Sequence, residues 1–378
     1  MANNNDKKVL NVPALRFPEF TEEWQGEQLQ EIAELSKGIG ISKEQLSENG
    51  TPCILYGELY TKYKSEIISK IISQTDIEKS KLKHSKQNDV IIPCSGETAI
   101  DIAVARCVPF DNVLLGGDLN VIRLHKYDGA FMAYQLNGKR KTDIAKLAQG
   151  VSVVHLYGEN LKSIKTYNPS LQEQQKIVKL LSMLDERLEV QNKIIEKLQS
   201  LIKGIAQNIV LRNKPNVRIS QCLECSSSTL QESDVLEYGA YPVYGANGVV
   251  GFLDNYNTSN EAIYIIKDGS GVGAVSYVAG KCSATGTLNI LQAKKGFSLR
   301  YLYYLLNIFN FEPYKTGMAI PHIYFKDYGK AQIFCPSYSE QLKYAKFLAT
   351  IDDKLLTEQN VLINLSLQKQ YLLRQMFI

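Results

Sequence analysis

Apolar residues recur in two long stretches of the chain at alternating steps of four and three positions. Such spacing places them on one face of a helix, and over several heptads it predicts a coiled-coil seam. After Ser337 the chain has no Pro or Gly, so about 43 residues at ~1.5 Å each would make a helix of about 60–65 Å. The predicted seams comprise Ile177, Leu181, Leu184, Leu188, Gln191, Ile195, Leu198, Ile202, Ile205 and Ile209, and then Tyr344, Leu348, Ile351, Leu355, Glu358, Leu362, Leu365, Lys369, Leu372 and Met376.

The two stretches are copies of one another. Each opens with Pro followed by Ser-x-x-Glu, at Ser170–Glu173 and at Ser337–Glu340, which predicts a capping box at the start of each helix. One register without gaps aligns residues 150–211 with residues 317–378, and it pairs His155 with His322. Upstream the match survives only with gaps. We therefore expect a fixed frame that carries two different globules.

Both seams carry a polar residue at the same repeat position, Gln191 and Glu358. One interpretation is a polar layer that sets the register of the pair at some cost in stability. The other is a solvated position in the middle of each helix. If the helices are antiparallel about a pseudo-dyad, they cross near residue 190, and the two polar positions meet.

The segments before each long helix read as α+β globules. Short β-branched runs at 89–93, 120–124 and 261–267 predict strands. Residues 129–137 and 298–310 predict short helices, and the Gly-, Asn- and Tyr-rich run 238–253 predicts tight turns that hold aromatic side chains outward. The predicted fold is α+β, with two α/β domains in tandem that are separated and joined by two long helices forming an antiparallel coiled coil. The predicted boundaries are 1–23 for an N-terminal segment, 24–168 and 214–335 for the domains, and 169–213 and 336–378 for the helices.

Composition narrows the class of protein. The chain has 378 residues, 44% of them hydrophobic, and 43 Lys and Arg against 39 Asp and Glu. Disorder, collagen and a small disulfide scaffold are excluded, and two or three domains are expected. Seven scattered Cys predict free thiols in a reducing compartment. A polar stretch at 1–10 and the lack of a long apolar run predict a soluble, cytoplasmic protein without a membrane span.

No catalytic constellation is evident. The Gly-rich segment 269–274 is followed by a predicted strand where a dinucleotide-binding loop requires a helix, so it indicates a β-turn. Cys222 and Cys225 lack a second ligand pair at zinc spacing. His155 and His322 are interpreted as structural residues at the junction of globule and helix. We expect no covalent chemistry, no metal site and no cofactor bound by this chain.

Because no catalytic constellation is evident, recognition of a binding partner is the remaining class of function. Local clusters of basic residues mixed with Tyr and Asn suit phosphate anchoring and contacts to base edges. The alternative for each residue is a solvated charge or a core tyrosine. The run Lys139–Lys141 is the cluster that most favours DNA. The candidates are Lys37, Tyr56, Tyr60, Lys62, Lys64, Lys139, Arg140, Lys141, Tyr241, Tyr244, Asn247, Lys267, Lys281, Arg300 and Lys315.

Three motifs together resemble the specificity subunit of type I restriction–modification enzymes. They are Val12–Phe20 followed by Trp24, the stretch Tyr241–Gly248, and the twice-used Pro-Ser-x-x-Glu-Gln helix start. The resemblance covers essentially the full chain. It implies a non-catalytic subunit with two target-recognition domains, each reading one half of a split, asymmetric site in double-stranded DNA, and a helix pair that sets the spacer. It does not identify the bases read or the side chains that contact them.

The resemblance also implies partners and cofactors. Two methylation subunits would bring S-adenosylmethionine, and restriction subunits would bring ATP, Mg and cleavage. Two alternatives from other classes stay open. One is a coiled-coil scaffold whose globules bind protein partners, and the other is an enzyme that binds a nucleotide at Gly269–Ala274.

Overall fold

A computed structural model describes residues 10–78, 80 and 82–378. The chain divides into two compact units. The first unit runs to Val190 and also includes Leu362–Ile378, whereas the second unit comprises Gln191–Val361. Of the predicted N-terminal segment 1–23, residues 1–9 lie outside the described part of the chain.

Two long helices, Leu171–Leu211 and Tyr338–Gln375, contain 41 and 38 residues. They begin where the sequence predicted. Each unit contains one part of each helix. In the first unit, Ile177 and Leu181 pack with Met376 and Phe377, so the parts of the two helices run antiparallel there.

The two helix starts are capped differently. At the second start, Glu340 accepts a hydrogen bond from the backbone N–H of Ser337 at 3.2 Å, as a capping box requires. At the first start, Glu173 turns away from Ser170 and accepts a bidentate pair from Arg16 at 2.7 and 2.8 Å. The Ser170 hydroxyl accepts from the Glu173 N–H at 3.4 Å, so the serine half of the predicted capping box is present. The half in which Glu173 reaches back is wrong, because Arg16 supplies a stronger, charge-assisted partner for its carboxylate.

Each unit contains a four-stranded antiparallel sheet with an equivalent strand order. Its strand order in the first unit is Ala33–Lys37, Leu119–Leu124, Asp89–Pro93 and Arg106–Val108. In the second unit the order is Leu223–Ser227, Leu288–Ala293, Ala262–Ile266 and Val275–Val278. The predicted strands at 89–93, 120–124 and 261–267 are thereby confirmed, to within one residue at their ends.

A helix packs against this sheet in each unit. Gly129–Asn137 has the predicted bounds, and the Asp128 carboxylate caps it by accepting from the backbone N–H of Phe131 at 2.9 Å. Its counterpart is Leu299–Leu306, capped by Ser298. The second helix was predicted to reach residue 310, but it ends earlier, and a 3₁₀ turn at Glu312–Tyr314 follows.

The units differ in a second sheet. In the first unit it has five strands in the order Leu46–Ser47, Ser73–Thr75, Thr51–Ile54, Leu114–Leu115 and Lys83–His84. In the second unit it has three strands in the order Gly248–Leu253, Tyr241–Gly245 and Ser283–Ala284. The run 238–253 was predicted as tight turns. It is instead a hairpin, because one turn at Ala246 and Asn247 suffices and the residues on either side pair as strands.

Short elements complete both units. Two-stranded pairs join Gln25–Gln28 to Lys165–Asn168, Ser95–Gly96 to Val154–His155, and Val217–Arg218 to Gln332–Ile333. Short helices are formed by Leu29–Ile32, Glu58–Thr61, Ala99–Ile102, Lys141–Lys146, Gly158–Leu161, Ile219–Cys222 and Phe325–Tyr328. Further 3₁₀ turns are formed by Lys43–Gln45 and Glu232–Asp234. Within the described ranges, no helix has the length and apolar character that crossing a membrane would require.

Candidate nucleic-acid interface

The seam positions of the long helices are mostly withdrawn from solvent. In the first unit Ile177, Leu181, Leu184 and Leu365 are buried, and Leu188 and Leu362 are half-buried. In the second unit Gln191, Ile195 and Leu348 are buried, while Leu198, Ile351, Leu355 and Glu358 are half-buried.

The polar positions of the two seams meet. The Gln191 amide donates to the backbone carbonyl of Glu358 at 2.9 Å and to its carboxylate at 2.5 Å. This hydrogen bond, followed by one from Lys354, lowers the pKa of Glu358. The interpretation as an interhelical polar layer is therefore favoured over a solvated mid-helix position.

The first unit has a cleft of about 1300 Å³ beside its five-stranded sheet, and several predicted DNA contacts line it. Tyr56 is exposed there, and the Tyr60 hydroxyl donates to the Ser95 carbonyl at 2.9 Å. Lys62 pairs with the buried Glu58 at 2.7 Å. Burial raises the pKa of the Tyr60 phenol well above its usual value, so that phenol acts only as a neutral group.

The remaining candidates of the first unit are dispersed. Lys37 lies over the Tyr157 ring at 5.7 Å, and Lys64 donates to the Tyr60 carbonyl at 3.0 Å. The basic run 139–141 does not act as one patch: Lys139 is exposed and Lys141 lines the cleft. Arg140 instead donates to the backbone oxygen of Ile378 at 2.8 Å and pairs with Asp143, so its cationic group holds other parts of this unit together.

In the second unit, Tyr241, Tyr256 and Lys281 form a group of exposed or half-buried side chains at the hairpin. The rings of Tyr241 and Tyr256 meet edge to face at 5.1 Å, and the Lys281 ammonium lies 4.9 Å from the Tyr256 ring centre. Asn247 is exposed at the hairpin turn. A cation above aromatic rings can bind phosphate, and an exposed amide elsewhere on the hairpin can contact base edges.

Other candidates of the second unit have internal roles. Tyr244 packs against the buried Tyr264, and burial raises its pKa. Arg300 pairs with Asp352 at 3.0 Å, and Lys315 pairs with Glu312 at 2.6 Å. Lys267 is half-buried, and its backbone carbonyl accepts a hydrogen bond from the Ile323 N–H.

The segments considered for other chemistry are structural. Gly269–Ala274 connects the antiparallel strands Ala262–Ile266 and Val275–Val278, so the predicted β-turn is confirmed. All seven cysteines are free thiols, and Cys222 lies 3.8 Å from Cys335 rather than beside Cys225. Across the described ranges, no group of three or more His, Cys, Asp or Glu side chains is arranged to hold a metal ion.

Two polar arrangements were missed from the sequence. His322 Nδ1 lies 2.6 Å from an Asp268 oxygen, and nothing in the sequence pointed to that partner. Lys369 was noted only as a seam position, yet it forms ion pairs with Asp185 and Glu66. The available signal was that Lys369, like Glu358, is a charged residue in a mostly apolar seam.

Comparison with known proteins decides the family. A model of the type I restriction modification DNA specificity domain matches twice, at residues 21–200 and 216–365. The chain belongs to this family. Each of its two specificity domains thus combines one four-stranded sheet, one added sheet and parts of the long helices. Members of the family are non-catalytic components of type I restriction–modification systems that serve DNA recognition.

Individual relatives agree with this membership. The chain is 25% identical over 283 residues to a protein from Mycoplasma genitalium named a putative type I specificity subunit, covering 68% of this chain and 73% of the relative. It is 25% identical to the Escherichia coli EcoprrI specificity subunit, over 33% of this chain and 30% of that protein.

The fold matches solved structures over nearly the whole chain. A crystal structure of the M. genitalium type I system S subunit matches with a TM-score of 0.66 at 20% identity, covering 97% of this chain and 99% of that one. A second structure is described as concerned with complex assembly and conformational transition of the type I R-M system. It matches with a TM-score of 0.51 at 16% identity, and the match covers 93% of this chain and 96% of that one.

Proposed function

We propose that each specificity domain reads one half of an asymmetric bipartite site in double-stranded DNA. The supporting observation is that the two domains share the four-stranded sheet but carry different second sheets. Two readers with different surfaces on a common frame recognise two different base sequences. Sequence is read at base edges, whereas contacts to phosphates set position.

The reading surface of the first domain is the cleft beside its five-stranded sheet. Exposed Tyr56, Lys62, Glu97 and Asp101 line this cleft. Acidic side chains accept from cytosine N4, and lysines donate to guanine. In the second domain the hairpin surface with Tyr241, Tyr256, Lys281 and Asn247 serves the same purpose.

The long helices set the spacer between the half-sites. They are continuous over 41 and 38 residues, and a continuous helix is a stiff spacer whose length is proportional to its residue count. The Gln191–Glu358 layer fixes the register of the pair.

Two copies of a methylation subunit dock on the helix pair. Exposed apolar side chains recur there at equivalent positions of the two helices: Leu171 and Tyr338 are 47% and 50% exposed, and Leu180 and Phe347 are 37% and 56% exposed. Exposed apolar patches mark interaction sites, and a repeated pair of them suits a partner present in two copies.

The methylation subunits bring S-adenosylmethionine, and restriction subunits bring ATP and Mg. The seven free thiols support assembly in the reducing cytoplasm.

The test is single-molecule methylome sequencing of cells that express this chain with its cognate methylation subunit. Cells with the methylation subunit alone are the control. We expect a new adenine-methylated motif with two unlike half-sites and a fixed spacer. If a soluble, assembled complex produces no motif, or produces a palindrome, the proposed reading of two different half-sites is wrong.

A further inference from the structure

A buried polar cluster joins the first specificity domain to both long helices. Asp185, on the first long helix, accepts hydrogen bonds from the Tyr134 hydroxyl at 2.7 Å and from Ser65 at 2.9 Å. Tyr134 belongs to the helix that packs on the four-stranded sheet. Lys369, on the second long helix, places its ammonium 2.5 Å from Asp185 and 2.5 Å from Glu66.

This cluster is almost entirely removed from water. The side chains of Lys369, Glu66 and Asp185 are 14%, 8% and 7% exposed, and Tyr134 is fully buried. Burial, with Asp185 as the second cause, raises the pKa of the Tyr134 phenol. A buried ionic cluster tolerates one arrangement of its members, because a displaced charge loses its partners without regaining water.

The second domain has a counterpart with a different source of charge. Asp352 occupies the repeat position of Asp185, and it accepts from the Tyr304 hydroxyl at 3.2 Å and from Arg300 at 3.0 Å. Tyr304 and Arg300 both lie on the helix that packs on the second four-stranded sheet. The cation therefore comes from the domain itself, whereas in the first unit it comes from the second long helix.

We propose that Asp185 and Asp352 are the joints that fix the angle of each recognition domain on its helix, with Lys369 and Arg300 as positioning residues. Lys369 then controls how accurately the first domain reads its half-site, although it lies on the other long helix. Arg300 does the same for the second domain. The proposal rests on the proposed reading of one half-site by each domain.

The chemistry of base readout makes such an angle matter. Bidentate contacts to base edges need close alignment, whereas contacts to phosphates tolerate small shifts. A loosened joint should therefore lower discrimination between right and wrong bases in one half-site more than it lowers overall DNA binding.

The experiment compares Lys369→Met and Arg300→Met in the complex with the methylation subunit. Binding is measured on the intact site and on duplexes with one altered base pair in either half-site. A wrong base pair ordinarily costs about 10- to 100-fold in affinity. We expect Lys369→Met to reduce that discrimination at least about threefold in the first half-site only, and Arg300→Met to do so in the second only.

Lys346→Met is the matched control, because Lys346 is an exposed lysine of the same helix. It should leave both half-sites unchanged. Lys369→Arg keeps the charge and should restore part of the first half-site discrimination. A purely structural role would reduce the fraction of active complex without changing discrimination, or would change both half-sites equally, and either result would overturn the proposal.

A second variant covers the case in which Lys369→Met does not assemble. Glu66→Gln keeps the shape of its side chain and removes one charge from the cluster, and it should produce the same loss confined to the first half-site. Equal discrimination in wild type and Glu66→Gln would then reject the joint. If wild type itself yields no bipartite motif, the proposed function fails instead, and the two failures are thereby distinguished.

Discussion

The first and second units share a four-stranded sheet, a helix packed on it and parts of both long helices, and they differ in the sheet beside that scaffold. The first unit inserts residues 38–88 between two strands of the shared sheet, Ala33–Lys37 and Asp89–Pro93, which lie on either side of a third strand in the sheet. The second unit inserts residues 228–261 at the same place, between Leu223–Ser227 and Ala262–Ile266. These insertions supply most strands of the second sheet in each unit, and they carry much of the proposed reading surfaces. The frame and the reader of each half are thus separate parts of one chain.

The starts of the two long helices also differ between the units, although their sequences are equivalent. Glu173 is buried in a bidentate pair with Arg16 and also accepts from the Trp24 indole at 3.3 Å. The hydrogen bond between Arg16 and Glu173 raises the pKa of the Arg16 guanidinium. Glu340, its repeat partner, is exposed and caps its own helix. Equal sequence positions therefore perform different functions, because Arg16, in the segment before the first strand of the first unit, provides Glu173 with a partner.

The largest expected effect comes from exchanging one insertion. Replacing residues 38–88 by the corresponding segment of another family member should change the bases read in the first half-site and leave the second half-site and the spacer intact. Exchange of residues 228–261 is the mirror control. Methylome sequencing reads all three quantities at once, and altered bases in both halves would show that the domains do not read independently.

A change in the frame should leave both readers intact. Deleting the heptads 188–194 and 355–361, centred on Gln191 and Glu358, keeps the apolar seam in phase and retains Asp185 and Asp352. It shortens each helix by about 10 Å, so we expect a spacer shorter by up to about 3 base pairs with the same half-sites. A spacer of unchanged length in the methylated motif would contradict the role of the helices as a ruler.

The two helix starts should differ in energy. Glu173→Ala leaves the partly buried Arg16 without its partner and should cost about 3–5 kcal/mol in the free energy of unfolding. Glu340→Ala removes an exposed cap and should cost far less. Urea titration of both variants gives the comparison, with hydrogen exchange locating the loss of the first variant near Trp24. Similar losses would mean that the Arg16 pair contributes little.

The smallest effect is expected at the polar layer. Gln191→Leu combined with Glu358→Leu should slightly raise the unfolding midpoint near neutral pH and lower the specificity of helix register. Because the folded pKa of Glu358 is lowered from 4.5, its contribution is present above about pH 4.5 and is lost as the pH falls through the folded pKa. In acid, wild type should therefore lose the stabilising contribution of Glu358. The double variant lacks Glu358 and should not show that loss.

The sequence allowed the repeating parts of this fold to be predicted well. The seams and the helix starts follow from apolar spacing and from Pro and Ser, which act locally and are used twice. The turn at Gly269–Ala274 was predicted from the strand that follows it. These features depend on neighbours in sequence, so a single chain reveals them.

The candidate site was predicted less well, because its members depend on contacts between distant residues. Arg140 was a favoured DNA contact and instead binds the backbone oxygen of Ile378. Arg300 pairs with Asp352, and Glu173 leaves its cap for Arg16. In each case a charged side chain pairs with a group that is distant in the sequence, and composition does not reveal such partners.

The core around Trp24 has a consequence for synthesis. Trp24 and Phe131 pack against Phe377, and the Leu15 N–H binds the carbonyl of Gln375. At about 5–20 residues per second, the ~350 residues that separate Trp24 from Phe377 take about 18–70 s to translate. The Trp24 cluster of the domain made first can therefore close only after the second domain has been translated. A ribosome that stalls anywhere before residue 377 releases a chain with this core open, which proteases and chaperones can recognise before it meets DNA.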